Sequence, residues 1–395
     1  MRTRPTGPGF ALAVAGVTVM MAGASAPSPF YPVLQAELGI DSGTITAVFA
    51  VYAITLLGAL LTTGSLSDHL GRRPVVSAGF LLLALSVLLF WHADATATLF
   101  AARAVQGAAS GLLLSALSAS IADLEPAGRP GSAALWNAVA PMAGLALGAL
   151  AAGAVLDIAP EPLAAVFLPL TVVFLAMSLL AWVAPETSPR HPGWLASLRP
   201  RLGVPGHVRG LFVKSTPVVL AGWATGGLFL SLGASIVHRE LGAELHLWQG
   251  LAVAALAGSG AVSAALIRSR TPRFITIYGA AALAMGTALS LLALGAHSLA
   301  AYFAAVVVAG SGFGTAFMGV LRSIIPAVAP SERAATFAAL YTVSYLAFGI
   351  PAVIAGLLAP AISLGATTYG YGAAVVLLAA LAAALRWRAP GRPGY

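Results

Sequence analysis

The sequence contains no cysteine and very few charged residues. Charged side chains make up 8% of its 395 residues, whereas an average soluble domain has about 25%. Without cysteine the chain has no disulfide, no thiolate metal ligand and no thiol nucleophile, and its seven scattered histidines argue against a structural metal site. With 59% hydrophobic residues and a mean hydropathy of +0.93, the chain is not an ordinary soluble enzyme, a disordered chain or a coiled coil. The composition indicates a polytopic membrane protein.

Twelve apolar runs are long enough to cross a lipid bilayer. A spanning helix needs about 20 apolar residues, and the backbone within lipid must satisfy its own hydrogen bonds. The runs are continuously apolar rather than alternating, which favours helices over barrel strands. They cover 10–34, 44–64, 75–91, 98–121, 133–156, 163–183, 216–237, 247–267, 274–294, 300–321, 334–358 and 368–385. The sequence therefore predicts an all-α integral membrane protein with twelve spans, numbered here in chain order.

The first run resembles a secretory signal in one respect. Arg2 and Arg4 precede an apolar stretch that reaches Ala24-Ser25-Ala26, a sequence similar to a cleavage site. Cleavage there would leave eleven spans. The apolar run continues to Leu34, and an even division into two six-span halves requires the first span, so we expect the first helix to be retained.

The basic residues are distributed very unevenly among the loops. If the N-terminus is placed in the cytoplasm, all but two of the 20 Lys and Arg residues lie in cytoplasmic segments. The exceptions are Arg239 in an outer loop and Arg103 inside span 4. Because cytoplasmic loops collect Lys and Arg, this asymmetry predicts that both termini are cytoplasmic. It also explains the net charge of +8, and no basic patch interleaved with aromatic residues suggests a nucleic-acid partner.

The longest connection divides the chain nearly in half. Residues 185–215 are rich in proline and glycine and carry several basic residues, which predicts a cytoplasmic linker. The linker separates a half formed by residues 1–184 from a half formed by residues 216–395. Two halves of six spans are typical of an internally repeated secondary transporter.

The loop after span 2 carries the most distinctive motif, GSLSDHLGRRP from Gly64 to Pro74. Gly64 and Gly71 permit a tight turn, Asp68 suits a basic partner or a helix N-terminus, and Arg72 and Arg73 supply donors for carboxylates. The pattern G-x-L-x-D-x-x-G-R-R resembles the signature loop of the major facilitator superfamily. The length, the twelve spans, the cytoplasmic termini and the central linker extend the resemblance to the whole chain.

The resemblance implies that this loop is a conformational latch. Asp68 is expected to face the Ser331-Glu332-Arg333 entry to span 11, and Arg72 to pair with Asp123 or Glu125 at the end of span 4. Such contacts are each worth about 0.3–2 kcal/mol, and we expect them to favour the outward-facing state. The corresponding loop of the second half, residues 268–273, lacks the aspartate and the glycine pair.

Span 4 contains the one charged residue that lies well inside a span, Arg103. A charge near the bilayer centre costs at least about 2.5–3.5 kcal/mol. Arg103 and Gln106 share a helix face, and R-x-x-Q-G is similar to a motif of proton-driven drug antiporters in the superfamily. The alternative is that Arg103 extends to the membrane surface as an anchor. Gly107 and Gly111 form a G-x-x-x-G pair that predicts close helix packing.

Span 5 is a partial match to a second antiporter motif, G-P-x-x-G-G. Pro141 and Gly144 fit that motif, while the first glycine is replaced by Ala140 and the next glycine is Gly148. Pro141 predicts a bend and the glycines a close helix crossing, and Pro351 predicts a second bend in span 11.

Carboxylates lie at the ends of the spans rather than inside them. Asp41 precedes span 2, Asp157 follows span 5, and Glu240 and Glu244 belong to an outer loop. A carboxylate relay at the membrane centre is therefore not expected. Either Arg103 couples transport to protons indirectly, or the protein is a facilitator.

The resemblance implies a central cavity between spans 1, 2, 4, 5, 7, 8, 10 and 11. An almost neutral lining argues against multiply charged substrates and favours small amphipathic or hydrophobic molecules, weakly anionic ones included. No phosphate-binding loop is present, so neither a nucleotide nor another cofactor is expected. The polar and aromatic candidates for the lining are Tyr31, Tyr52, Gln106, Asn137, Trp223, Gln249, Phe313, Phe317, Tyr341 and Tyr345.

The sequence thus predicts a multi-pass transporter of the plasma membrane that works by alternating access. Proton-coupled efflux of a small amphipathic molecule is the leading interpretation, with the lipid bilayer, the substrate and protons as partners. A facilitator or symporter for a sugar, an amino acid or another metabolite is the alternative, and a non-transporting membrane sensor is a remote one. A membrane-embedded enzyme is disfavoured, since no nucleophile–base pair or metal cluster is visible in the spans.

Overall fold

The computed structural model describes residues 6–200, 202–329 and 332–388, which form helices and connecting segments without a β-strand. Arg2, Arg4 and Ser331 lie outside the described residues. Within these described residues, eleven helices are long and apolar enough to cross a membrane, and a pair of helices bent by 59° counts as a twelfth span. The prediction of an all-α membrane protein with twelve spans is therefore confirmed.

The helices that form the spans begin and end close to the predicted apolar runs, apart from span 7. Spans 1 and 7 are each interrupted, near Ser28 and at Leu232 respectively. The bounds are Thr6–Ser25 with Tyr31–Leu38 (span 1), Ser42–Thr63 (2), Arg72–Trp91 (3), Thr96–Asp123 (4), Ser132–Ile158 (5), Pro162–Leu180 (6), Gly206–Ser231 with Gly233–Arg239 (7), His246–Ile267 (8), Pro272–Gly295 (9), Leu299–Ile324 (10), Arg333–Ile362 (11) and Leu364–Arg388 (12). Short helices Leu66–Leu70 and Trp194–Ser197 lie in the connections.

Span 7 begins well before the predicted residue 216. Its helix starts at Gly206 and carries His207, Arg209 and Lys214 in its first turns, which kept this stretch out of the apolar run. Pro205 is the cap residue before this helix. Proline has no N–H and its ring clashes with a preceding helical turn, so the helix does not extend further toward the N-terminus. Part of the predicted linker is therefore the polar beginning of a membrane helix.

Polar caps mark where several spans begin. The carboxylate of Asp41 accepts a hydrogen bond from the Thr44 N–H at 2.6 Å, which satisfies a donor that has no partner inside the helix. This backbone hydrogen bond lowers the pKa of Asp41. Thr271 and Ser298 cap spans 9 and 10 in the same way.

The spans pack chiefly within the two halves. In the first half, span 1 packs on span 5, span 4 on spans 2 and 3, and span 3 on span 6. In the second half, span 10 packs on spans 8 and 9, and span 12 on spans 7 and 9. Between the halves, span 5 packs on span 8 and span 2 on span 11.

Glycines allow the closest of these crossings. A methyl group on Gly107 or Gly111 would collide with the backbone of span 2 near Tyr52 and Leu56. Gly144 and Gly148 meet the backbone of span 1 in the same way. Pro141 lies inside the helix of span 5, which continues without interruption from Ser132 to Ile158, and Pro351 lies inside the helix of span 11.

We name the two ends of the molecule by their loops. The linker face holds the beginning of span 1, the loop after span 2, the end of span 4 and the linker. The opposite face holds the end of span 5 and the beginnings of spans 2 and 8. The halves approach each other closely near the opposite face, where Gly153 meets the Gly250 backbone and Gly356 meets the Thr46 side chain and the Ser42 carbonyl.

Candidate functional site

Arg103 is completely buried, with 0% of its surface exposed. Its Nε donates to the Tyr31 hydroxyl at 2.9 Å, and its Nη2 donates to the same oxygen. Its Nη1 donates to the Ala24 carbonyl at 3.1 Å and to Oε1 of Gln106. Gln106 in turn donates to the Gly23 carbonyl at 2.9 Å. The side chain therefore turns toward span 1 and does not extend to the membrane surface.

Aromatic faces surround the Arg103 guanidinium. Its carbon lies 5.5 Å from the ring centre of Tyr31, 5.4 Å from that of Tyr52 and 5.2 Å from that of Phe90. A cation over an aromatic face gains about 2 kcal/mol or more when it is removed from water. Within residues 6–200, 202–329 and 332–388, no carboxylate forms an ion pair with this charge.

Three of the predicted cavity residues come together around a fourth, Trp223 of span 7. Its ring centre lies 4.8 Å from that of Tyr345, 5.4 Å from Phe317 and 6.4 Å from Tyr341. Phe348, which the sequence did not single out, lies 5.8 Å away. All four pairs meet edge to face, the geometry that aromatic quadrupoles favour. We call these five residues the aromatic cluster.

The aromatic cluster belongs to the second half and contacts the first half. Phe348 packs on Phe49 of span 2 at 4.9 Å, and Tyr52 belongs to the same hydrophobic core as Tyr345. Because Tyr52 also lies against Arg103, the cluster and the buried charge form one continuous region from span 7 to span 4.

The members of the aromatic cluster differ in how deeply they are buried. Trp223, Phe317 and Tyr341 are half-buried, whereas Tyr345 and Phe348 are buried. Along span 11, Tyr341 is the member nearest the linker face. Leucines of the first half pack against the hydrophobic core that contains Tyr345 and Phe348; they are Leu57, Leu60 and Leu145. Burial along span 11 therefore increases from Tyr341 to Tyr345 and Phe348, away from the linker face.

The remaining predicted cavity residues lie elsewhere. Phe313 packs inside the second half against Gly226 of span 7. Asn137 donates to the Ser118 carbonyl at 3.4 Å, inside the first half. Gln249 is buried in span 8, and its Oε1 has no hydrogen-bond partner among the described residues.

The loop after span 2 forms an ion-pair network at the linker face. Arg72 pairs with Asp68 at 2.6 Å and with Asp123 at 3.4 Å. Glu125 instead accepts from the Ala133 N–H at 2.9 Å, at the beginning of span 5. In the described part of the chain, Asp68 makes no hydrogen bond or ion pair with span 11, whose expected partner Ser331 is not among the described residues.

Glu186 of the linker completes this network, and sequence reasoning missed it. It accepts from the backbone N–H groups of Arg72 at 2.8 Å and Arg73 at 3.2 Å, at the start of span 3. Arg190 lies 3.6 Å away. Partial burial favours the neutral acid, but hydrogen bonds from Ser188, Arg72 and Arg73 and the charge of Arg190 outweigh it and lower the pKa of Glu186.

The neighbours of Glu186 also contact the loop. Thr187 donates to Asp123 at 2.7 Å, and Arg73 Nε donates to the Ala184 carbonyl at 2.7 Å. Gly71 has φ 111°, and a methyl group there would lie 2.8 Å from the Glu186 carboxylate. A positive φ together with this close approach requires glycine. Residue spacing carried no signal for these contacts, since they join positions far apart in the chain.

The comparison with known families decides what the chain is. The sequence model of the Major Facilitator Superfamily matches residues 13–352, most of the chain. The chain belongs to this superfamily. It is a multi-pass membrane protein of a transporter family, with the helical architecture that the resemblance implied.

Individual relatives match over shorter stretches. The chain is 36% identical over 124 residues to the puromycin resistance protein of Streptomyces alboniger, covering 31% of this chain and 24% of that protein. It is 32% identical over 127 residues to an uncharacterized MFS-type transporter of Mycobacterium tuberculosis, covering 32% of this chain and 22% of that protein. It is 24% identical over 98 residues to the quinolone resistance protein NorA of Staphylococcus aureus, covering 25% of each. The matches thus span about a quarter of these curated relatives.

Proposed function

We propose that this superfamily member is a secondary active transporter of the plasma membrane that expels small, neutral or weakly anionic aromatic compounds by alternating access. The observation that carries the proposal is the aromatic cluster around Trp223, which borders the first half and is continuous with the buried charge of Arg103. Two of its relatives are named for resistance to puromycin and to quinolones, which supports drug efflux as the direction of transport.

The distribution of charge supports an orientation with the linker face in the cytoplasm. Arg72 and Arg73 begin span 3 at that face, Arg129 and Arg190 lie in its connecting segments, and positively charged segments at span ends remain in the cytoplasm. The half-buried side of the aromatic cluster then faces the cytoplasm, from which an expelled compound would enter.

In the described part of the chain Arg103 has no acidic partner, which supports the proposed substrate class. Aromatic rings offer stacking surface to any planar molecule, but a cation bound near Tyr52 would be repelled by the neighbouring guanidinium at low effective dielectric. A neutral or weakly anionic compound meets no such penalty. Arg103 and Gln106 are the residues we assign to substrate choice and to energetic coupling.

The loop network supports a conformational role at the linker face. Asp68, Arg72 and Asp123 are already in contact within the first half. We propose that Asp68 keeps its contact with Arg72 and gains a contact with the beginning of span 11 when the linker face closes. A latch of this kind would favour the outward-facing state.

Flux in reconstituted vesicles tests the proposal. A panel should contain aromatic amphipaths, sugars and amino acids, each measured with and without an imposed pH gradient. We expect saturable movement of the aromatic compounds. Acceleration by the gradient would indicate proton coupling, and its absence a facilitator.

Two tryptophan variants connect this assay to the aromatic cluster. Trp223→Ala removes the central ring and should abolish the flux. Trp387→Ala, at the end of span 12 with 72% of its surface exposed, removes the same side chain away from the cluster and should leave the flux unchanged. Movement of a sugar or an amino acid alone would favour the metabolite alternative, and no flux of any class would favour a sensor.

A further inference from the structure

Asp157 at the end of span 5 contacts the first turn of span 8 across the boundary between the halves. Its Oδ1 accepts from the His246 N–H at 2.9 Å, and its Oδ2 accepts from the Leu247 N–H at 2.8 Å. The His246 ring Nδ1 lies 2.9 Å from Oδ1. Span 8 begins at His246, so both N–H groups lack a partner inside the helix, and the positive end of the helix dipole favours a carboxylate there.

Close backbone packing between spans 5 and 8 holds Asp157 next to the beginning of span 8. Gly153, one turn before Asp157, faces Gly250, one turn after His246. A methyl group on Gly153 would lie 2.6 Å from the His246 carbonyl oxygen and 3.2 Å from the Gly250 Cα. The carboxylate is only 16% exposed and the imidazole 31%. Spans 5 and 8 therefore cannot separate at the opposite face while Asp157 keeps its three contacts.

The other polar contacts between the halves near this face are neutral. Ser28 donates to the Leu230 carbonyl at 2.8 Å, where the interrupted segments of spans 1 and 7 meet. Ser235 lies 3.5 Å from the Gln35 amide oxygen. Among the described residues, Asp157 is the one carboxylate that accepts hydrogen bonds from the other half.

We propose that Asp157 and the first turn of span 8 form a charge-dependent lock that holds the opposite face closed. The inference rests on the alternating access proposed above, because each transport cycle must open this face and break the three contacts. A carboxylate at a helix N-terminus changes the ratio of two states by roughly 2- to 30-fold. Asp157 is thus a positioning residue for the outward-opening step and has no direct part in holding substrate.

Distances between spin labels on the full chain in lipid nanodiscs test the lock. The absence of native cysteine lets label sites be introduced without removing any thiol. Ala95→Cys with Ala296→Cys reports on the opposite face, and Ala127→Cys with Ser269→Cys on the linker face. All four positions are exposed, and each pair joins the two halves.

Asp157→Asn should raise the population with a long 95–296 distance by roughly 2- to 30-fold and lower that with a long 127–269 distance. Glu161→Gln is the matched control, since it removes an exposed carboxylate of the same face that makes no side-chain hydrogen bond among the described residues, and should change neither distance. His246→Gln should produce a smaller shift of the same sign, because both backbone contacts of Asp157 remain.

Unchanged distances in both Asp157→Asn and His246→Gln, in samples that retain helical circular dichroism, would overturn the lock. If Asp157→Asn does not fold, His246→Gln alone decides. The readout is a distance rather than a flux, so the two proposals fail separately. The expected distance shifts without flux of any compound would contradict the proposed function. Flux by the intact chain without a distance shift in Asp157→Asn and His246→Gln would contradict the lock.

Discussion

The guanidinium carbon of Arg103 lies 5.4 Å from the centre of the Tyr52 ring, and Tyr52 packs in the hydrophobic core that contains Tyr345 and Phe348 of the second half. A buried positive charge thus borders the contact surface between the halves. Its neighbours are aromatic faces and neutral oxygens, which stabilise the charge without cancelling it. In the proposed transport cycle, motion of span 11 past span 2 would change the packing around that charge.

Arg103→Ala should abolish transport while the protein remains folded in the membrane. The change removes the charge and leaves the Tyr31 hydroxyl and Gln106 without their shared partner. Arg103→Lys should not restore flux, because a compact ammonium cannot reproduce the fork of donors to Tyr31 and Ala24. Vesicle flux measured alongside size-exclusion chromatography checks this. The control is Arg239→Ala, which removes an exposed arginine of the opposite face; normal flux in Arg103→Ala would reduce Arg103 to a structural anchor.

Asp68→Asn should shift the state population toward the linker-open form. The substitution removes the charge that pairs with Arg72 at 2.6 Å and that we propose to meet span 11 when the linker face closes. The effect of about 0.3–2 kcal/mol is measurable as a longer distance between labels at Ala127→Cys and Ser269→Cys. Identical distance distributions with and without the substitution would rule out the latch.

Glu186→Gln should lower the free energy of unfolding by about 1–2 kcal/mol at neutral pH. The carboxylate accepts two backbone N–H bonds at the start of span 3, and its pKa is lowered in the folded state. A lowered pKa stabilises the fold above the unfolded value, near 4.3, and that stabilisation disappears as the pH falls through the folded pKa. The difference between the two proteins should therefore shrink below about pH 4; a difference that grows on acidification would contradict this role.

Gly107→Ala should destabilise the protein by about 1–3 kcal/mol. Its added methyl group would collide with the span 2 backbone near Tyr52, and neither backbone can shift without separating the two spans. Gly58→Ala is the matched control, because Gly58 is an exposed glycine inside span 2 with nothing within 4 Å of an added methyl group. The midpoint of thermal unfolding, measured in the same detergent, should be lower for Gly107→Ala and unchanged for Gly58→Ala. Equal midpoints would show that the helix crossing can relax.

Hydropathy was enough to predict the twelve spans, because each must supply its own apolar length. It failed where a polar helix extends beyond the membrane, as at Gly206, since His207 and Arg209 interrupt the apolar run without interrupting the helix. The prediction that Arg72 meets Asp123 or Glu125 agrees with the observed 3.4 Å ion pair to Asp123. That expectation depended on the family motif rather than on spacing.

Contacts between segments far apart in the chain could not be predicted from the sequence. Glu186 is an isolated acid in a linker, and nothing near it indicates that it caps span 3. Asp157 and His246 were each visible as polar residues at span ends, but their pairing depends on how spans 5 and 8 cross. The sequence indicates each aromatic candidate separately and not which of them meet. The fold shows that Trp223 lies among four rings, whereas Phe313 packs elsewhere.

The charge preference of transport tests the central claim most directly. Counterflow in vesicles should be measured for a matched pair, a neutral aromatic amide and its cationic amine analogue, with the intact chain and with Arg103→Gln. We expect the intact chain to move the neutral compound faster than the cationic one. In Arg103→Gln, the ratio of the two rates should be closer to one in any flux that remains. Faster movement of the cation by the intact chain would contradict a binding region governed by the unbalanced charge of Arg103.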